Sequence, residues 1–238
     1  MKKLLFNFCL SLSLVSAFTL SKEIKQLLVV SLDHDTQNKA WLDSYVKSDG
    51  SWKKVFPAIA VSLGRNGIGL GLGLHDKSFS SQRKLKEKQE GDGKSPAGIF
   101  RLSSIFGYSP STTNSKMPYI HLHSKLHCVD DSESKHYNKI ISQTSGYKSF
   151  ESMRRKDNLY ELGIVVEHNT QALKGRGSCI FIHIQNPNRT PTSGCTTMRK
   201  VNLLKVIQWL DKDKHPILLQ ALKNNHTLQR ILHEHESN

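Results

Sequence analysis

The sequence predicts a mixed α/β domain in which strands dominate, and three observations carry that prediction. Asn66-Gly67 sits between two apolar runs, Ala58 to Leu63 and Ile68 to Leu74, which is the pattern of a β-hairpin around a tight turn. Short apolar stretches recur at Tyr119 to His123, Gly163 to Val166 and Ile180 to Ile184, each short enough for a strand and bounded by polar or turn-forming residues. Helical periodicity is clearest at Leu203, Val206, Ile207 and Leu210, spaced i, i+3, i+4, i+7.

Taken in order, Lys2 and Lys3 precede an apolar stretch from Leu4 to Val15 that ends in Val15-Ser16-Ala17, the form of a cleavable export signal over residues 1–17. About twelve apolar-rich residues fall short of the roughly 20 that span a bilayer, so no stable membrane span is expected here or later. Residues 18–50 read as an N-terminal extension, in which Gln26 to Leu32 suits a strand or the start of a helix. Thr36 to Lys47, with Ala40, Leu42 and Val46 apolar, suits a helix. The main domain is expected over residues 51–222. A helix should begin with a Thr196 or Thr197 cap and run to about Leu210, followed by a strand over Pro216 to Leu222 and a polar tail over 223–238.

Gly67, Gly69, Gly71 and Gly73 alternate with Ile68, Leu70, Leu72 and Leu74, so one face of that strand lacks side chains. Strict period 2 along a strand does not suit a dinucleotide fingerprint, whose glycines open a helix, and points to close backbone packing. Gly93-Lys94-Ser95 copies the end of a phosphate-binding P-loop, but residue 88, where that loop needs glycine, is Lys88. His121 and His123 share a strand face near Cys128, Asp130 and Asp131, yet the spacing matches no specific zinc motif and is read as exposed strand histidines.

Lys and Arg number 34 against 20 Asp and Glu, a formal charge of +14, with a dense run at Arg83 to Lys88. Such a balance favours anionic partners. No nucleic-acid motif accompanies it, aromatic residues are not interleaved with the basic ones, and an exported chain leaves DNA behind, so nucleic acid is excluded as the expected partner. If the signal is removed, Cys9 leaves with it, and Cys128, Cys179 and Cys195 enter an oxidising compartment where three thiols cannot all pair within one chain. A Cys128–Cys179 pair would leave Cys195 free, whereas Cys195 in either other pairing would end any catalytic reading. Spacing does not choose between these.

The chemistry concentrates in Ile180 to Met198. His183 lies within an apolar run, and Thr192-Ser193-Gly194-Cys195 follows after a polar loop, so a nucleophile and a base occur within twenty residues. GSCIFIHI followed by PTSGCTTM resembles the L,D-transpeptidase (YkuD-like) family, whose site is a strand histidine followed by [Ser/Thr]-x-Gly-Cys. Gly91-Asp92-Gly93-Lys94-Ser95-Pro96-Ala97-Gly98-Ile99-Phe100 resembles the same family's G-x-x-x-T-P-x-G-x-F segment, with Ser95 in the threonine's place. The resemblance spans roughly Pro57 to Leu222. Two departures mark a divergent branch: Ile184 stands where many members have glycine after the histidine, and Thr197 where many have arginine. Arg199 and Arg189 are the candidates for the missing cation.

The resemblance implies a β-sandwich catalytic domain with peripheral helices, located in the periplasm or cell wall, that acts on peptidoglycan stem peptides without cofactor or metal. Cys195 would be the nucleophile and His183 the base. Gly194 and Cys195 N–H groups would stabilise the oxyanion, and Ser193 or a backbone carbonyl would orient the imidazole. Thr192, Thr196, Lys94 and Ser95 would border the substrate. A cysteine just before a helix N-terminus would be biased toward thiolate. An amine acceptor makes the enzyme a transpeptidase and water makes it an L,D-carboxypeptidase; the non-enzymatic alternative is a cell-wall-binding module with a disulfide-bonded Cys195. The sequence predicts no oligomeric state.

Overall fold

The computed structural model describes residues 18–80, 85–111, 114–142 and 145–233, so the expected export signal and part of the Arg83 to Lys88 run lie outside the described residues. The strands are β1 (Gln26–Leu32), β2 (Lys39–Ser48), β3 (Ser51–Lys54), β4 (Ile59–Ser62), β5 (Ile68–Leu70), β6 (Ser95–Gly107) and β7 (Tyr119–His121). They continue with β8 (His127–Cys128), β9 (Ile140–Ile141), β10 (Glu151–Ser152), β11 (Leu162–Val166), β12 (Phe181–Ile184), β13 (Thr196–Met198) and β14 (Ile217–Leu222). Two α-helices, α1 (Lys200–Trp209) and α2 (His226–His233), follow β13 and β14 respectively. Among the described residues no helix is long and apolar enough to cross a membrane.

The chain is β-rich, but the expected sandwich is corrected. An 11-stranded sheet runs β1-β14-β6-β11-β12-β13-β4-β2-β3 with β5 and β7 both paired to β6 off that path, and β1 also pairs with β2, so the path closes on itself in a barrel-like way. The physical reason lies in β1: Gln26 to Val30 are all buried, and the strand bonds in parallel to β14 on one side and antiparallel to β2 on the other. No open edge remains there at which two sheets could separate. Residues 18–50, read as an extension, therefore supply β1 and the whole of β2 to the same sheet that carries the site.

Thr36 to Lys47 is not a helix. Its apolar positions fit period 2 as well as a helical turn, and β2 turns Ala40, Leu42 and Ser44 inward alternately while β1 supplies its hydrogen-bonding partner. The predicted hairpin is also corrected. The Asn-Gly turn forms, with Gly67 N–H donating to Gly64 O at 2.9 Å and Gly67 at φ 77°. Its flanks nevertheless part company, because β4 pairs with β2 and β13 whereas β5 runs parallel to the start of β6. The glycine face does serve close packing: a Cβ on Gly71 would sit 2.8 Å from Pro96 Cβ and 2.9 Å from Phe100 Cζ.

Helix α1 buries Leu203, Val206 and Ile207 as its periodicity predicts, but it starts at Lys200, with Arg199 at its N-cap and β13 intervening after Cys195. The segment beyond 222, expected as a polar tail, contains α2, which buries Leu228 and Ile231. A three-stranded sheet, β10-β8-β9, packs beside the main one. The Cys128–Cys179 disulfide ties it to the residues just before β12. Phe106, Leu122, Cys128, Met153, Tyr160, Cys179, Phe181 and Cys195 form a second apolar cluster at that junction, apart from the main core.

Candidate active site

Strand register explains how residues twelve apart in sequence come to share a surface. β12 and β13 are parallel, with Ile182 opposite Thr196 and His183 opposite Thr197. Cys195 therefore lies one step before the paired register, beside Phe181. Alternation puts Phe181 and His183 on one face of β12, and the neighbouring positions Cys195 and Thr197 point the same way. His183, Cys195 and Thr197 line one cleft of about 480 Å³.

Cys195 is the free thiol of the described cysteines, because Cys128 and Cys179 are bonded to each other. It is 7 % exposed. Its sulfur accepts from Phe181 N–H at 3.4 Å and its S–H is directed to Cys179 O at 3.6 Å. Burial pushes the thiol up to about 12, with the Glu151 charge adding to that and the Phe181 N–H, Tyr160 and Lys88 opposing it. The expected thiolate bias from a helix N-terminus is thus corrected, since a strand rather than a helix follows the cysteine.

His183 is 6 % exposed, and its Nδ1 lies 2.9 Å from the carbonyl oxygen of Ile184. A carbonyl only accepts, so Nδ1 carries the proton and Nε2 is the nitrogen able to take another. Of the two groups expected to orient the ring, the backbone carbonyl does so, whereas Ser193 Oγ is engaged by Arg65 Nη1 at 3.1 Å. Burial lowers His183 to about 4. Neutral thiol and neutral imidazole are accordingly the resting forms. Among the described residues no hydrogen bond joins them. A two-residue stagger along the strands, about 6.6 Å of rise, separates their backbones in addition to the inter-strand spacing.

The loop before the thiol is held from within. Thr192 Oγ1 donates to Cys195 O at 2.6 Å and accepts from Gly194 N–H at 3.1 Å. Gly194 is needed for closeness, because a Cβ there would lie 3.1 Å from Lys94 O. Ser95 Oγ donates to the same Cys195 carbonyl at 3.2 Å and accepts from Gly64 N–H at 2.9 Å.

Thr192, Ser193 and Gly194 line the cleft, but Ser95, Lys94 and Thr196 are not among its lining residues. Lys94 Nζ binds the carbonyls of Asn66 and Ile68 at 3.1 and 3.4 Å, and buried Thr196 Oγ1 lies 3.1 Å from Gln220 Oε1. These three positions therefore act on loop architecture, since their polar groups are already satisfied by the chain.

The cations that line the cleft are not the two expected from the sequence. Thr197 is buried and its hydroxyl donates to Ser62 O at 3.4 Å, while Arg189 and Arg199 are exposed and do not line the cleft. Arg155 does line it, its Nε bonded to Asp157 Oδ1 at 2.9 Å. Lys88 lies at the other wall, with Nζ bonded to Asp92 Oδ1 at 2.6 Å. Glu90, Asp130 and Glu151 also line the cleft, as does Tyr160, whose ring meets His183 edge-on at 4.9 Å between centroids. Local pattern contains no signal for Arg155, Glu151 or Tyr160, because only the pairing of β11 with β12 and of β10 with β8 brings them to the cysteine.

A family model described as the L,D-transpeptidase catalytic domain, YkuD, matches residues 28–218. No curated protein matches the sequence. Among solved structures, Bd1075 from Bdellovibrio bacteriovorus is similar at 14 % identity and TM-score 0.40, over 82 % of this chain and 47 % of that one. Pgp2 from Campylobacter jejuni, described as a helical cell shape determining protein, is similar at 17 % identity and TM-score 0.39, over 84 % of this chain and 48 % of that one. The chain thus spans about half the length of these two proteins.

Proposed function

We propose a function from one premise: this chain belongs to the YkuD family of L,D-transpeptidase catalytic domains, whose model matches residues 28–218. The proposed activity is acyl transfer on peptidoglycan stem peptides by an exported cysteine enzyme. The observation that carries it is the free Cys195 lining one cleft with His183 while the other two described cysteines are paired.

In the proposed reaction Cys195 Sγ attacks the carbonyl carbon of the peptide bond between an L- and a D-centre. The S–H proton passes to His183 Nε2, which later returns a proton to the departing amine, leaving the stem as a thioester. The neutral resting pair suits general-base attack, in which proton transfer accompanies bond formation and no thiolate need be stored. Rotation of the thiol away from Cys179 O is required first. Use of the Gly194 N–H as an oxyanion donor requires its release from Thr192 Oγ1. Arg155 is placed to meet a substrate carboxylate, with Asp157 holding its guanidinium in the cleft wall. An amine acceptor completes a cross-link, and water releases a shortened stem.

The wall-binding alternative was expected to have a disulfide-bonded Cys195, and in that form it is corrected, since Cys195 is free; the burial of the thiol and the absence, among the described residues, of a bond to His183 are what still favour binding without catalysis. Incubation of the full chain with purified muropeptides, followed by mass spectrometry, separates the readings. Cross-linked or shortened stems from the parent protein and none from a folded Cys195→Ala variant support the enzyme. Binding without any product, or equal product from both proteins, overturns it.

A further inference from the structure

We propose that Tyr160 is a catalytic residue that donates its phenol hydrogen bond to the Cys195 thiolate during attack, and that Glu151 is the positioning residue that directs this phenol; the proposal rests on the Cys195 reading above. Tyr160 is 3 % exposed, at the base of the cleft. Its ring is fixed on several sides: edge-on to His183 at 4.9 Å, to Phe181 at 5.5 Å and to Phe106 at 5.7 Å, with the Arg155 guanidinium over it at 5.1 Å. Phenylalanine would satisfy that packing. The hydroxyl is the part that packing does not explain, and burying it carries a cost unless it is bonded.

One bonded partner accounts for it in the resting form: the hydroxyl donates to Glu151 Oε2 at 2.7 Å. Tyr160 shares both the cleft and the second apolar cluster with Cys195, and its hydroxyl acts there to favour the thiolate. Glu151 is delivered there by register, since it lies opposite disulfide-bonded Cys128 in the β8–β10 pair. The charged and titratable groups around the sulfur are Lys88, which favours thiolate, and Glu151, which opposes it. Glu90, Asp130, Arg155, Asp157 and His183 complete the cleft wall. Burial raises Glu151, the Tyr160 hydrogen bond opposes that and the Asp130 charge adds to it; the net direction is upward, so its carboxyl holds a proton more readily than an ordinary glutamate.

A protonated Glu151 reverses the bond between the two side chains. Its O–H then donates to the phenol oxygen, and the phenol proton is free to turn toward sulfur. The accounting is simple: as the Cys195 S–H bond breaks, its proton goes to His183 and the charge developing on Sγ, which the phenol meets, is consumed as that electron pair forms the bond to the carbonyl carbon. Tyr160 keeps its own proton throughout, and the Glu151 proton comes from solvent in the open cleft. Once the thioester forms, sulfur carries no charge and the phenol returns to Glu151.

The test is the rate of iodoacetamide alkylation of the full chain between about pH 6 and pH 9, with Cys195→Ala as the blank. Tyr160→Phe keeps the ring and should alkylate about ten- to a hundredfold more slowly at each pH, the range expected for losing a hydrogen bond to a charged group. Glu151→Gln, whose amide N–H can always donate to the phenol, should alkylate at least as fast as the parent, while Glu151→Ala should be slower. A Tyr160→Phe rate equal to the parent's, or a Glu151→Gln rate as low as that of Tyr160→Phe, overturns the proposal while leaving Cys195 as the nucleophile. A parent thiol that does not alkylate overturns the Cys195 reading, and this proposal with it.

Discussion

The Ser95 hydroxyl donates to the main-chain carbonyl of Cys195 across 100 positions of sequence, joining the start of β6 to the loop that presents the thiol. Thr192 donates to the same oxygen at 2.6 Å, so that carbonyl is fixed from two directions. Ser95→Ala leaves Gly64 N–H without its acceptor in a buried place and should cost about 1–3 kcal/mol of stability. Turnover should fall further than the unfolded fraction explains, because the nucleophile loop loses an anchor. Denaturant unfolding beside muropeptide turnover checks both, and an unchanged stability would refute the assignment.

The disulfide closes a separation of 51 residues and holds the β10-β8-β9 sheet against the start of β12. Replacing Cys128 and Cys179 together by serine should cost roughly 3–4 kcal/mol on the loop-entropy model. Turnover should drop as well, because β10 carries Glu151 into the cleft. Thermal melts with and without reductant measure the first effect; a reductant-insensitive melting point in the parent protein would contradict it.

Gly163 lies opposite His183 in the β11–β12 register, and a Cβ there would collide with the Phe106 ring. Phe106 in turn packs edge-on against Phe181 at 5.3 Å and against Tyr160. Gly163→Ala should therefore destabilise by about 1–3 kcal/mol and lower kcat as the wall under His183 shifts. Equilibrium unfolding and kcat measured on the same preparation test this, with a neutral substitution as the contrary result.

Burial lowers both His183 and His168 to about 4 from the ordinary 6.5. Below about 6.5 the unfolded chain binds protons that the folded chain refuses, so stability contributed by these neutral rings is present at neutral pH and lost as pH falls toward 4. Glu151 acts in the opposite sense, because its raised folded carboxyl retains a proton that the unfolded one releases as pH climbs. Two histidines against one carboxyl should leave a net loss of stability below about pH 6. Denaturant midpoints across that range check the slope, and His168→Gln should flatten it.

The same lowering of His183 places the acid limb of activity. If the imidazole must be neutral to take the thiol proton, kcat/KM should fall with a midpoint near 4 and not at the ordinary 6.5. A limb centred on the ordinary histidine value would show that the working ring is more solvated than His183 is in this fold.

Short-range pattern in the sequence determined the existence of several elements and singled out the candidate reacting groups. Strands at Gly163 to Val166 and Ile180 to Ile184 and the buried face of α1 are each specified by local periodicity, and His183 with Thr192 to Cys195 carries the family's chemistry in residue type and order. What depends on partners was beyond it. Ala40, Leu42 and Val46 satisfy helical and strand spacing alike, and only the neighbouring edge of β1 selects the strand. The Asn-Gly turn is local and formed as read, whereas the partners of its two flanks are not local and proved to be β2 and β13 on one side and β6 on the other. Cysteine spacing left three pairings open until β8 was seated beside the approach to β12. Burial, which raises Cys195 and lowers His183, is a property of the closed sheet and its second apolar cluster, and so are the arrivals of Arg155, Glu151 and Tyr160 at a thiol distant from them in sequence.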